Sequence, residues 1–165
     1  MKRTIFTLML ISGLIFSCSS DSDNNDPVDE KNAIVGSWQA TELQAADPNS
    51  SEVDLGAEVL AKLTAEQCEI LVFTFQEDLV LIAESAVNNL EINATATGLD
   101  VPCPTQKEIE TTTYTYDGSI LTYVDTDMET KSVKATVEGN TLSIDATDLD
   151  IPNLNGAGQL IFTRK

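Results

Sequence analysis

The fold class is decided by Glu108-Ile-Glu-Thr-Thr-Thr-Tyr-Thr-Tyr116, followed by Asp117-Gly-Ser119 and then Ile120-Leu-Thr-Tyr-Val124. Both runs are rich in β-branched and aromatic residues, which favour strands. Tyr114 and Tyr116 are two residues apart and therefore share one face of the first strand. The Asp-Gly dipeptide is typical of a tight type I′ turn between antiparallel strands. The segment predicts a β-hairpin.

Similar strand patterns lie on both sides of this hairpin. Downstream, strands are predicted over 131–137, 141–146 and 158–165, the first two flanking Glu138-Gly-Asn140. Upstream, alternation and spacing predict a strand over 33–43, a short amphipathic helix over 52–67, strands over 69–75 and 79–83, and a weaker strand over 88–97. Eight or nine strands with mostly short connections predict an all-β domain over 33–165.

An antiparallel meander of about eight strands must protect its two edges. It does so by closing into an up-and-down barrel or by folding into a two-sheet sandwich. Composition alone leaves both architectures open.

Composition and charge exclude several classes of function. The chain has 165 residues, of which 42% are hydrophobic, so it is not disordered as a whole. Its net charge of −18 repels nucleic acid, which we exclude as a partner. The chain contains no histidine, which excludes Ser-His-Asp and Cys-His catalysis, and no pair of its many carboxylates is placed in a cleft by the sequence. We therefore expect no catalytic residue, cofactor or metal site.

The N-terminal residues are typical of an export signal. Lys2 and Arg3 precede an apolar run, Ile5 to Phe16, that is too short to remain as a membrane-spanning helix. The next residues, Ile15-Phe-Ser-Cys18, resemble the lipobox of bacterial lipoproteins. That resemblance implies that 1–17 are a cleaved signal peptide and that Cys18 carries a diacylglyceryl group and an amide-linked acyl chain such as palmitate. An ordinary secretory signal with an incidental cysteine is the alternative.

The polar tract at 18–32 predicts a solvated tether after the anchor, because it contains too little apolar surface to fold. It resembles the acidic surface-export signals of lipoproteins from the Bacteroidota. The resemblance implies an outer-membrane, lipid-anchored protein at the cell surface of a Gram-negative bacterium.

If Cys18 is lipidated, Cys68 and Cys103 remain as an even pair in an exported chain. A disulfide is the simplest outcome. A redox-active or metal-binding thiol pair is the alternative, although it lacks close C-x-x-C spacing and any histidine.

The motif Gly36-Ser-Trp38, after Ile34-Val35, resembles the G-x-W signature that opens lipocalins and lipocalin-like lipoproteins of the Bacteroidota. Cys68 before Leu71-Val-Phe-Thr-Phe75 and the C-terminal Leu160-Ile-Phe-Thr-Arg-Lys165 add to the resemblance. It implies a closed barrel in which Trp38 plugs one end and Arg164 packs over it. The turn after Phe75 has Leu79 where the family often has glycine.

Three functional hypotheses follow from the predicted barrel domain. A lipocalin-like barrel is expected to bind a small hydrophobic ligand, lined on its inner face by Leu71, Phe73, Phe75, Tyr114 and Tyr116. Alternatively these side chains fill the core, and the domain is a surface module that binds protein or glycan through polar loops at 47–51 and 148–155. The third hypothesis is that the protein is an enzyme, and we expect no enzymatic activity.

Overall fold

A computed structural model describes residues 33–46, 51–96, 98–147, 149 and 157–165. The signal peptide expected at 1–17, the acylation site Cys18 and the tether at 18–32 lie outside the described residues, as do most of the loop residues at 47–51 and 148–155. Within the described ranges, no helix has the length and apolar character needed to cross a membrane.

The described chain contains ten strands, one α-helix and a short 3₁₀ helix. The strands are β1 (Gly36–Ala45), β2 (Leu71–Phe75), β3 (Val80–Ser85), β4 (Asn93–Thr95), β5 (Gly98–Asp100), β6 (Glu108–Tyr116), β7 (Ile120–Val124), β8 (Thr130–Glu138), β9 (Thr141–Asp145) and β10 (Ala157–Arg164). Helix α1 covers Ser51–Ala65 and the 3₁₀ helix covers Val87–Asn89.

Eight of these strands form a closed antiparallel barrel. The order around the barrel is β1, β2, β3, β6, β7, β8, β9 and β10, which is chain order except that β4 and β5 are left out. The barrel closes because β1 pairs with both β2 and β10, as in Trp38 opposite Phe73 and opposite Arg164. This closure confirms the predicted up-and-down barrel and excludes the sandwich.

The strand register defines which side chains face the interior. Directly paired residues of antiparallel strands point to the same side of the sheet. Across β2, β3 and β6 these rows are Leu71, Ser85 and Glu108, then Phe73, Ala83 and Glu110, then Phe75, Leu81 and Thr112. The rows therefore change from polar to apolar as they run from one end of the barrel to the other.

The helix follows the first strand, as the apolar spacing predicted, and packs along β1. Val53 in its first turns joins the main core of the barrel. Val59 and Leu63 instead form a second cluster with Cys68, Ile70 and Val101. Helix α1 therefore connects the barrel core to the segment that precedes β6.

The strand predicted over 88–97 is wrong as a single element. Residues Val87–Asn89 form the 3₁₀ helix, and β4 pairs with β5 in a small hairpin separate from the barrel. This segment has few of the alternating apolar residues that would give a strand a buried face, so it does not enter the barrel.

The turn between β6 and β7 also differs from the predicted type I′ turn. That turn needs a positive φ at both central residues, whereas only Gly118 has one between Tyr116 and Ile120. The Asp117 carboxylate instead accepts hydrogen bonds from the backbone N–H of Ser119 at 2.9 Å and of Ile120 at 2.7 Å. An aspartate side chain therefore closes the turn in place of a second left-handed residue.

Candidate functional site

One end of the barrel, the closed end, is sealed by Trp38 and Arg164. The Trp38 side chain is fully buried and its indole N–H donates to the Ile34 carbonyl at 2.7 Å. The guanidinium carbon of Arg164 lies 4.0 Å from the centroid of the Trp38 ring. Arg164 also donates to the carbonyls of Val35 and Ala33 at 2.7 and 2.8 Å. The arginine thereby binds the chain that crosses this end.

Glycine at position 36 makes room for that arginine. Gly36 has a φ of +132°, and a Cβ built there would collide with Nη1 of Arg164. The first and third residues of the G-x-W motif are thus required by the same contact: the glycine admits the guanidinium and the tryptophan supports it.

Aromatic side chains fill the interior next to the closed end. Phe75 lies 4.9 Å from Tyr114 between ring centroids, and Phe73 stacks on Phe162 at 5.0 Å. The Tyr114 hydroxyl donates to the Gln76 carbonyl at 2.9 Å, and burial raises the pKa of this tyrosine. The Tyr116 hydroxyl lies 2.8 Å from the carbonyl oxygen of Gly118. Both hydroxyl groups therefore form hydrogen bonds with backbone carbonyl oxygens at the closed end.

The opposite, open end contains a cavity of about 830 Å³. Its apolar lining includes Leu71, Phe73, Leu81, Leu121 and Tyr123. This volume falls within the range of about 300–1,000 Å³ that is usual for small-molecule sites. The barrel is thus packed at one end and hollow at the other.

The described lining of this cavity includes four carboxylates and no lysine or arginine. The carboxylates are those of Glu108, Glu110, Asp125 and Asp127. The Glu108 carboxylate accepts a hydrogen bond from the Asn88 amide at 2.9 Å. The backbone N–H of Glu129 donates to Asp125 at 2.8 Å, which lowers the pKa of that carboxyl group together with the nearby Lys131.

A disulfide joins Cys68 to Cys103 beside the open end. Cys68 precedes β2 and packs in the second hydrophobic cluster, while Cys103 lies in the connection that leads into β6. The bond therefore ties the β3–β6 connection to the base of helix α1. Glu66 has a carboxylate oxygen near the two sulfur atoms. Sulfur atoms that are joined in a disulfide are not thiolates, and the thiolate is the form of cysteine that binds metal.

The five side chains expected to line a ligand site occupy two different places. Leu71 and Phe73 line the cavity. Phe75, Tyr114 and Tyr116 share their inward face but lie deeper, where they are buried in the core. Alternation placed all five on the interior, but it carries no information on depth.

The sequence analysis missed the polar part of the lining. Glu108 and Glu110 alternate with Thr112, Tyr114 and Tyr116 along β6, so the period of two already placed their carboxylates on the inner face. Asp125 and Asp127 lie in the β7–β8 turn, and only closure of the barrel brings them to the same opening.

Comparison with known proteins gives no family for the chain. No family model matches the sequence, and no curated protein shows significant sequence similarity to it.

Proposed function

We propose that this protein is a lipid-anchored lipoprotein of the bacterial envelope whose lipocalin-like barrel binds a small hydrophobic molecule. The cavity at the open end carries the binding part of the proposal. It has about 830 Å³ of space above a floor of Phe73, Leu81 and Leu121. Transfer of an apolar molecule onto such a floor gains about 25 cal/mol per Å² of surface removed from water.

The packed closed end supports binding at the other end. Phe73 belongs to the cavity floor and also stacks on the fully buried Phe162. The floor is therefore held by core contacts that need no ligand. A preformed site of this kind avoids much of the ordering cost of binding.

The sequence before the barrel supports the anchored part of the proposal. Ile15-Phe-Ser-Cys18 has the residue types of a lipobox, and two or more acyl chains hold a protein at a membrane stably. The chain enters the barrel at the closed end, where Arg164 binds the carbonyl groups of Ala33 and Val35. A tether from Cys18 would thus attach opposite the cavity and leave its opening unobstructed.

Binding is tested with a neutral fluorescent probe, N-phenyl-1-naphthylamine, titrated into the soluble domain. Trp38 is a poor reporter because it is fully buried under Arg164, away from the cavity. We expect saturable fluorescence that is lost in Ala83→Trp, which places an indole on the inner face beside Phe73. The matched control is Ala94→Trp, on the exposed β4–β5 hairpin. Equal binding by both variants, or none by the wild type, would contradict the binding proposal and favour the surface module.

The anchor is tested on the full chain expressed in a Gram-negative host. Mass spectrometry should show cleavage before Cys18 and the added mass of acyl chains, and the protein should fractionate with membranes. Cys18→Ser should abolish both results. An unmodified thiol on wild-type Cys18 would contradict lipidation without affecting the binding measurement.

A further inference from the structure

From the charge of the cavity rim we infer that the ligand is an amphiphile with a positively charged head group. This inference rests on the proposed binding function and specifies its ligand class. The cavity is the site, and the carboxylates around it determine which head group is tolerated.

Two carboxylates are positioned by strand register on the inner face. Glu110 pairs with Ala83, which pairs with the floor residue Phe73, and Glu108 pairs with Ser85 in the row nearest the opening. Asp125 and Asp127 line the same cavity from the β7–β8 turn. The four acids thus border one opening from two sides.

Positive charge near this rim is already engaged. Lys131 shares the inner face of β8 with Tyr123 opposite it, but its ammonium group contacts both Asp125 at 3.4 Å and Glu129 at 2.9 Å. Lys107, next to Glu108 in the chain, bonds to Glu69 and Glu84 instead. Within the described part of the chain, Glu108, Glu110 and Asp127 take part in no ion pair.

The lining is divided between a deep apolar floor and an acidic rim. An alkyl or aromatic body fits on Phe73, Leu81 and Leu121, while its head group lies beside the acids of β6 and the β7–β8 turn. A carboxylate head group would be repelled there, because three of the four rim acids take part in no ion pair and like charges at short range repel, although water and salt weaken the effect at these exposed positions. An ammonium head group would be attracted. The geometry therefore disfavours fatty acids and favours cationic amphiphiles.

The test compares three probes with the same twelve-carbon chain: dodecyltrimethylammonium and dodecanoate below their micelle concentrations, and dodecanol below its solubility limit. Each displaces N-phenyl-1-naphthylamine from the wild-type domain at low salt. We expect dodecyltrimethylammonium to bind at least about tenfold more tightly than dodecanoate, with dodecanol between them. The ratio should fall as salt shortens the screening length to about 10 Å or less.

Variants of Glu110 show whether the rim sets this preference. Glu110→Gln should reduce the ratio several-fold and Glu110→Lys should reverse it, each ratio being taken between probes measured on the same variant. Glu138→Gln removes the same charge from an exposed position of β8 that pairs with Thr141 near the closed end, and should leave the ratio unchanged.

Three outcomes would overturn the charge preference, and the last of them would overturn the proposed function as well. Dye binding that is blocked by Ala83→Trp, combined with equal or tighter binding of dodecanoate, would overturn the charge preference and leave the proposed function standing. A preference for the cation that responds equally to Glu110→Gln and Glu138→Gln would also overturn it, because the net charge of the protein would then be the cause. No saturable binding of the dye or of any probe would overturn the proposed function and this inference together.

Discussion

The two ends of the barrel are built from the same strands but are held together differently. At the closed end, Trp38 and Phe162 are fully buried, and Arg164 bonds to the chain that crosses it. At the open end, inward positions carry short or charged side chains such as Ala83 and Glu110, and a cavity lies between them. A covalent bond, Cys68–Cys103, secures the connection beside this cavity.

Strand β6 shows the difference between the packed closed end and the open end within one strand. Its inward side chains run from the exposed Glu108 and Glu110, through Thr112, to the buried Tyr114 and Tyr116. Packing is therefore concentrated in one half of the strand and open space in the other. Substitutions of inward side chains should therefore affect stability most at the closed end and binding most at the open end, where the Cys68–Cys103 bond contributes stability in place of side-chain packing.

The largest expected effect comes from removing the closed-end plug. Trp38→Ala deletes a fully buried indole and should lower the free energy of unfolding by about 3–5 kcal/mol. Glu110→Ala, inward at the open end but exposed, should change it by no more than about 0.5 kcal/mol. Denaturant unfolding followed by circular dichroism measures both. Similar losses in the two variants would contradict the division between the ends.

The open end should depend instead on its disulfide. Cys68 and Cys103 are 35 residues apart, a loop for which chain entropy gives up to about 4 kcal/mol. Cys68→Ala/Cys103→Ala should lose stability on this scale and also weaken dye binding, because the connection into β6 is released.

Thiol reduction provides the control for that variant. Dithiothreitol should destabilise the wild type and have no effect on the double variant. If reduction leaves both stability and dye affinity of the wild type unchanged, the bond does not secure the open end.

The contrast between the ends also separates what the sequence predicts from what it does not. Alternating Thr and Tyr residues predicted β6 and β7 with their observed bounds, and apolar spacing predicted helix α1 after β1. These patterns are local, so they are visible in a short window. The G-x-W resemblance predicted Trp38 beneath Arg164, a contact across 126 positions that no local pattern contains.

The hollow half could not be derived in the same way. Whether an inward residue fills the core or lines a cavity depends on its height in the barrel and on the size of the side chains facing it. Phe73 and Phe75 have the same residue type on the same face, yet only Phe73 lines the cavity. That distinction comes from the register of Ala83 and Glu110 opposite Phe73, in contrast to Leu81 and Thr112 opposite Phe75.

The contact between Gly36 and Arg164 can be measured by a double-mutant cycle. Gly36→Ala should cost about 2–3 kcal/mol, from an unfavourable positive φ and from displacement of the guanidinium. In an Arg164→Ala background the same substitution should cost only about 1 kcal/mol, because the backbone cost alone remains. Gly98→Ala, at φ +128° with nothing within 4 Å of its new Cβ, is the control for backbone cost alone. Additive effects of Gly36→Ala and Arg164→Ala would contradict the contact.

A smaller, stabilising effect is expected at the β2–β3 turn of the closed end. Leu79 has a φ of +65° and is half exposed, so it occupies a left-handed conformation without the benefit of burial. Leu79→Gly should raise the free energy of unfolding by up to about 1 kcal/mol. Leu79→Ala keeps the strained φ and should give no gain in thermal unfolding. A gain in Leu79→Ala equal to that in Leu79→Gly would show that strain is not the cause.

The smallest expected effect is the loss of stability in acid at one turn of each end. Asp117 in the closed-end turn and Asp125 in the open-end turn both accept backbone hydrogen bonds, which lower the pKa of each carboxyl group below its ordinary 3.8. A depressed folded-state pKa adds stability above the unfolded value, and this stability is lost as the pH falls through 3.8 toward the folded pKa. Asp117→Asn and Asp125→Asn should therefore have lower denaturant midpoints than the wild type at pH 7. The difference should shrink between pH 5 and pH 3, because only the wild type loses the ionised acceptor. A difference that stays constant over this range would mean that the ionised carboxylates do not stabilise the turns.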